Sequence, residues 1–311
     1  MIQNDHYGII FAVLASIFWS ITVTILKPIS AHISPFLINP VKNSIGLFLF
    51  IILFFILDVP FWYNNLYYYE YFIILISGAL GMVLGDTIFI YALNKIGANR
   101  VAIVDSFSPL VIYFYSMLLL PDQSINLVQT IGFGITIFGL LLLSYEKDFE
   151  DIDYKVKQFG ILLVLLAMLC TGFGVVFLKT VLNRVYQIGF DGIKLNLWIT
   201  AFRLIPGVIF SWIIFACHKN RNKLLLPLRE KSNYQPLIIA SILGPFFALS
   251  FWILGYAFIS KPAIASIISQ TSVIFIVLLA SFFLNEKLTK MRIISTACVF
   301  IGVIIASLNN Y

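Results

Sequence analysis

YGIIFAVLASIFWSITVTILK, residues Tyr7 to Lys27, lies without a gap over FGILLVLLAMLCTGFGVVFLK, residues Phe159 to Lys179, at a constant offset of 152. Identical pairs include Gly8/Gly160, Ile9/Ile161, Leu14/Leu166, Ala15/Ala167, Val23/Val175, Leu26/Leu178 and Lys27/Lys179. Each copy is an apolar run of bilayer length closed by a lysine. The chain is therefore a duplication of an apolar bundle. Such a duplication points to transport, because two related halves can form a pathway at their interface and exchange roles across the membrane.

Composition agrees. The 311 residues are 61% hydrophobic and 11% charged, with a mean hydropathy of +1.00, whereas soluble domains carry about 25% charged residues. Ten apolar spans are expected, at 7–27, 36–57, 71–93, 99–120, 126–145, 159–181, 195–217, 235–259, 263–284 and 291–308. Gly244 and Pro245 interrupt the eighth. The expected fold is an all-α membrane protein whose ten transmembrane helices form two inverted five-helix repeats. These occupy residues 7–145 and 159–308 and are joined by a charged linker over 146–158, the most charged stretch of the chain. Inversion follows from counting, since an odd number of helices per half turns the second half over.

Several classes are excluded or disfavoured. Met1 to His6 lacks a basic n-region and the first apolar run exceeds a signal-peptide core, so no cleavage is expected. Cys170, Cys217 and Cys298 have no metal or redox spacing, and His6, His32 and His218 are far apart, so no metal site and no nucleophile constellation is expected. No phosphate-binding glycine loop and no cofactor motif is present. The net charge of +6 reports topology rather than nucleic-acid binding. The odd-numbered loops and the span ends beside them hold thirteen lysines and arginines, among them Lys95, Lys147, Arg221 and Lys287, and the even-numbered loops only Arg184, Lys194 and Lys261. The positive-inside rule then puts the odd loops in the cytoplasm and both termini outside.

The pattern resembles the EamA-type branch of the drug/metabolite transporter superfamily. The residues that carry the resemblance are Gly8 through Lys27 with Trp19-Ser20, the basic Lys42 in helix two, Gly78 through Gly85 followed by Tyr91-Ala92-Leu93, Ser108-Pro109, and Leu284 through Leu288 leading to Gly302. Pro121-Asp122-Gln123 stands where the family has a glutamate after helix four, and Lys42 stands where it has an arginine, which the second half keeps as Arg203. The resemblance implies ten helices in two five-helix repeats, both termini cytoplasmic, export of amino acids or related metabolites, and residence in a bacterial cytoplasmic membrane.

Ionisable groups inside spans mark the chemistry, because a charge at the bilayer centre costs ~2.5–3.5 kcal/mol or more. Lys42 and Arg203 correspond at an offset of 161 that also places Gly46 on Gly207. Either they face a central cavity and hold a substrate anion, or they snorkel or form structural ion pairs. Asp86, directly after Gly85 in helix three, is a candidate for proton coupling or for a fixed salt bridge with Lys42 or Arg203. Asp105, a few residues into helix four, is a second and weaker candidate, which equally reads as an interfacial acid snorkelling to the headgroups. Ser16, Ser20 and Thr24 form a polar stripe leading to Lys27, and Trp19 lies on the same helix. The stripe is a cavity lining or a set of hydroxyls bonded back to the helix. Lys27 and Lys179 are expected to anchor helix ends at the headgroups.

The sequence thus predicts a secondary transporter, an exporter of a small polar or amphipathic metabolite by alternating access. Its expected pathway residues are Arg203, Lys42, Asp86, Asp105, Ser20, Thr24 and Trp19. Its partners are a small-molecule substrate, membrane lipids and protons, with no nucleic acid and no cofactor. The alternative is a non-transporting structural or lipid-binding membrane protein, and a membrane enzyme ranks third.

Overall fold

A computed structural model describes residues 5–105, 107–120, 125–144, 153–189, 192–283 and 290–307. Helices account for nearly all of them, and no strand occurs among the described residues. The first half holds α1 (Asp5–His32), α2 (Pro35–Leu57), α3 (Tyr68–Gly97), α4 (Ser108–Leu119) and α5 (Leu127–Ser144). The second holds α6 (Tyr154–Gln187), α7 (Ile193–Cys217), α8 (Lys231–Phe258), α9 (Pro262–Ser269), α10 (Thr271–Phe283) and α11 (Lys290–Ser307). Helices α1, α2, α3, α6, α7 and α8 are long and apolar enough to cross a membrane, and shorter apolar stretches over Ser108–Leu119, Leu127–Gly139, Pro262–Ile276 and Ile293–Ala306 accompany them. Apolar side chains such as Phe48, Phe55, Phe114, Phe210 and Phe300 cover the outside of the bundle, a surface that only lipid can solvate.

The helix ends gather at two levels. At one, the Ser260 amide donates to Asp5 Oδ1 at 3.2 Å, Lys261 Nζ to Gln129 Oε1 at 3.3 Å and Trp198 Nε1 to the Phe61 carbonyl at 3.2 Å. There too Arg184 forks onto the buried Glu70 carboxylate and reaches the Asn65 carbonyl at 2.9 Å, tying α6 to the start of α3. At the other level, Asn94 donates to the Ser30 carbonyl, and the Phe36 and His218 rings lie 5.5 Å apart. Helix α1 has 28 residues and separates the two levels by about 42 Å at 1.5 Å per residue. The segment between α2 and α3 exposes Phe61, Trp62 and Tyr67 at the first level, and the start of α3 adds Tyr68 and Tyr69, as aromatic residues at a bilayer interface do.

Four expectations change. The helix foreseen over 263–284 is two helices, α9 and α10, parted at Gln270. The one foreseen over 99–120 is likewise parted: a turn at Phe107 precedes α4, whose second residue, Pro109, has no amide to give to a preceding turn. Helix α6 starts at Tyr154, so the last five residues expected in the linker are helical. Finally, Lys179 is not a headgroup anchor. It lies inside α6 with no exposed surface, and Nζ donates to the carbonyls of Tyr256 and Ile259 at 2.6 and 2.7 Å. The cation meets a helix's carbonyl end, that of α8 rather than its own. The motif Pro121-Asp122-Gln123, linker residues 146–152 and all of Leu284 through Leu288 lie outside the described residues.

Two internal irregularities are related by the repeat. Residues Ala79–Gly85 of α3 and Ile242–Ala248 of α8 are π-helical, and both ends of the two segments correspond at an offset of 163. Each is approached by a glycine of the other half. A Cβ on Gly207 of α7 would sit 2.9 Å from Met82 Cβ, and one on Gly46 of α2 would sit 2.8 Å from Pro245 Cβ. Gly78 is tighter still, since any side chain there would overlap the Arg203 carbonyl. We predict that Gly78→Val lowers stability by about 1–3 kcal/mol, the usual cost of overpacking. Gly134→Ala, whose new methyl meets nothing within 4 Å, should leave it unchanged or slightly raised. Thermal denaturation of the purified protein in detergent checks both.

Candidate functional site

A cavity of about 180 Å³ lies where the halves meet. Its wall is built from corresponding pieces of each half. Helices α1 and α6 contribute Ala15/Ala167, Ser16/Met168 and Trp19/Thr171, pairs at the offset of 152, and α3 and α8 contribute Gly85/Ala248, Asp86/Leu249 and Phe89/Trp252, pairs at the offset of 163. The π-helical segments therefore open onto it. A π turn widens a helix and leaves carbonyls without their usual partners, and it is found often at functional sites. Here Asn39 of α2 donates to the Met82 carbonyl at 2.8 Å, to the Thr87 hydroxyl at 2.8 Å and to Ser211 at 3.2 Å. The backbone irregularity is thus supported from the side.

The breaks also face the cavity. Ser266, Ser269 and Gln270, at the break between α9 and α10, and Ser108, at the start of α4, are on the wall. Gln270 Nε2 donates to Ser108 Oγ at 3.1 Å, joining the two breaks across the halves. Helix α1 caps the second break: Ser16 Oγ bonds to the Ser269 carbonyl at 3.0 Å and Ser20 Oγ to the Ser272 carbonyl at 2.9 Å. Each hydroxyl also lies within hydrogen-bond distance of a carbonyl of its own helix, so its single hydrogen is shared between the two acceptors, and Thr24 donates to the Ser20 carbonyl at 2.8 Å. Ser20 and Thr24 are not on the cavity wall, whereas Ser16 and Trp19 are. Trp19 leans against Phe89 with ring centroids 5.9 Å apart.

Of the expected charges, Lys42, Asp86 and Asp105 are on the wall. Lys42 and Asp86 form an ion pair, with the lysine 4% and the aspartate 17% exposed. Arg203 is placed otherwise. It is fully buried, none of its three guanidinium nitrogens has a hydrogen-bond partner among the described residues, and it lies over the ring of Trp252, a residue of the cavity wall, at 5.5 Å. The repeat accounts for this. Lys42 finds its acid at position 86 of α3, and the corresponding residue of α8 is Leu249. No group of three or more potential metal ligands occurs among the described residues.

Reasoning from sequence missed the π segments, the break at Gln270 and the serines around it. Gly81, Gly85, Gly244 and Pro245 signalled the first, and a glutamine flanked by serines in an apolar run signalled the second.

An all-helical duplicated bundle enclosing a polar, charged cavity between its halves defines an integral membrane protein of the transporter class. The family model of the EamA-like transporter family matches residues 6–145 and again 158–308. The chain belongs to that family. A solved crystal structure superposes with a TM-score of 0.77 over 97% of this chain and 96% of its own, at 14% sequence identity, a likeness of fold. No curated protein matches the sequence.

Two stability predictions follow from the charges. Lys42→Met and Asp86→Leu should each destabilise by about 3–5 kcal/mol, by leaving an uncompensated buried charge, while the double variant recovers most of that loss. Arg203→Met, despite its deeper burial, should cost less than Lys42→Met, because it removes a cation that has no hydrogen bonds to lose. A double-mutant cycle followed by thermal denaturation measures all four.

Proposed function

We propose that this protein is a secondary transporter, an exporter of a small polar or amphipathic metabolite, working by alternating access through ten membrane spans in two inverted five-helix repeats. The observation that carries this reading is the cavity itself, whose wall is assembled from equivalent positions of both halves. Rocking one half against the other about such a site exposes it to each side in turn. The paired π segments and the paired breaks supply backbone that can rearrange at the cavity without disturbing the long helices.

Proton coupling centres on Asp86. It pairs directly with Lys42 and also acts electrostatically on Arg203. Protonating this one carboxylate strips the counter-charge from a cation in each half, a large local change for a single proton. A buried cation with no hydrogen-bond partner is hard to explain by stability, which favours a working role for Arg203. Loop charges favour cytoplasmic odd-numbered loops and external termini, in what we take to be a bacterial cytoplasmic membrane.

The test is an untargeted comparison of metabolites in medium and cytosol of cells expressing wild type or Arg203→Met at matched membrane levels. A solute that moves outward only with wild type is the expected result, and no difference in either compartment would favour a structural or lipid-binding role instead. With that solute in hand, Asp86→Asn should lower the transport rate at least about tenfold and flatten its pH dependence, as loss of a proton-transfer group does. Unchanged rate and pH profile would remove Asp86 from the mechanism.

A further inference from the structure

Asp105 is the ionisable group of the cavity wall that its surroundings leave unanswered. Lys42 and Asp86 neutralise each other, and Arg203 is not part of the wall. Asp105 accepts no hydrogen bond from any described residue, and no described lysine, arginine or histidine acts on it. Among the described residues, then, the wall's one acid without a cationic partner is Asp105, which gives the wall a net negative charge when ionised.

The fold does not require an acid at this place. The offset of 163 that relates Ser108 at the start of α4 to Thr271 at the start of α10 puts Ile268 opposite Asp105. Ile268 is buried apolar packing in the second half. An isolated carboxylate deep in a membrane bundle is costly, and such residues mark substrate or ion pathways.

Position adds to this. Asp105 lies on the walls of two adjoining spaces, the main cavity and a second of about 20 Å³, together with Trp19, Phe89 and Gln270. The carboxylate thus stands where both spaces share wall residues, in the company of aromatic rings and an amide. Trp252 provides a further ring on the main wall. A cation is held by a carboxylate and by the negative faces of aromatic rings, and an anion by neither. The main space equals the liquid volume of about six waters at ~30 Å³ each, room for a metabolite-sized molecule.

We propose that the cavity takes a small organic cation, a protonated amine with an aromatic or aliphatic body, whose ammonium group is held by Asp105 and whose body lies against Trp19, Phe89 and Trp252. This deepens the transporter reading and rests on it.

Three probes of one shape separate the charge requirement from apolar binding: phenethylammonium, neutral 2-phenylethanol and anionic 3-phenylpropionate. Their binding is measured by calorimetry on the purified full chain in nanodiscs of neutral phosphatidylcholine, with empty nanodiscs as the blank. Phenethylammonium should bind at least about tenfold more tightly than the alcohol, as one charge-assisted hydrogen bond implies, and phenylpropionate more weakly than either. Asp105→Asn should abolish the preference for the ammonium over the alcohol, and Asp105→Glu should retain most of it. Equal binding of the three probes to wild type, or an undiminished preference in Asp105→Asn, overturns the proposal. The wild-type ranking decides the matter by itself if the variants do not fold. A Ser269→Cys variant, made with Cys170, Cys217 and Cys298 replaced by alanine, separates the two levels of inference. Labelling by a membrane-impermeant maleimide without any cation preference removes the cation and leaves the transporter, whereas no labelling and no probe binding removes both.

Discussion

Backbone amides and carbonyls inside a bilayer must find partners within the protein, because hydrocarbon offers none. Continuous helices meet this demand locally, so every interruption needs support from a neighbour. In this bundle the interruptions are concentrated around one space, and so is the support. Asn39 reaches the π segment of α3, Ser16 and Ser20 reach carbonyls flanking Gln270, and Gln270 reaches Ser108. These side chains hold open a polar interior in a protein whose outside is apolar. The same constraint shapes the end of α8, where the ammonium of the buried Lys179 takes two carbonyls.

On this nearly symmetric scaffold the charges are unequal. Lys42 has Asp86, whereas Arg203, its counterpart, has Leu249 at the equivalent position and no hydrogen-bond partner among the described residues. Asp105 has no acidic counterpart either, since Ile268 stands opposite. Duplication supplies two similar halves that can move against each other, and divergence at a handful of positions gives the shared cavity its chemistry. Glycines at the contact, Gly46 and Gly207, have not diverged, because each must let the other half's π segment approach to contact distance. Space is conserved between the halves where charge is not.

Much of this was legible in the residues. The superposition of Tyr7–Lys27 on Phe159–Lys179 exposes the duplication, since apolar periodicity and a terminal lysine survive when little else does. Lys42, Asp86 and Arg203 stand out because charges within apolar runs are rare and costly. The interruptions were much less legible. A π turn adds one residue per turn and leaves no compositional mark beyond small residues and Pro245, and the break at Gln270 lies in a run apolar enough to read as one helix. Lys179 was misplaced for a related reason: a lysine at the end of an apolar run looks like an anchor, and only packing reveals a second helix ending beside it.

The amino-acid sequence by itself determined the membrane environment, the helical class, the duplication and the candidate charges, because these depend on the composition and period of local segments. Tertiary structure decided which charges meet. It paired Lys42 with Asp86, set Arg203 over the Trp252 ring, turned Ser16 and Ser20 toward the broken helix rather than leaving them only as a lining stripe, and left Asp105 without a cationic partner among the described residues, on the wall that two spaces share. Those outcomes depend on distances between segments remote in sequence, and in a low-dielectric interior a few ångströms separate a neutralised charge from one that still needs a partner.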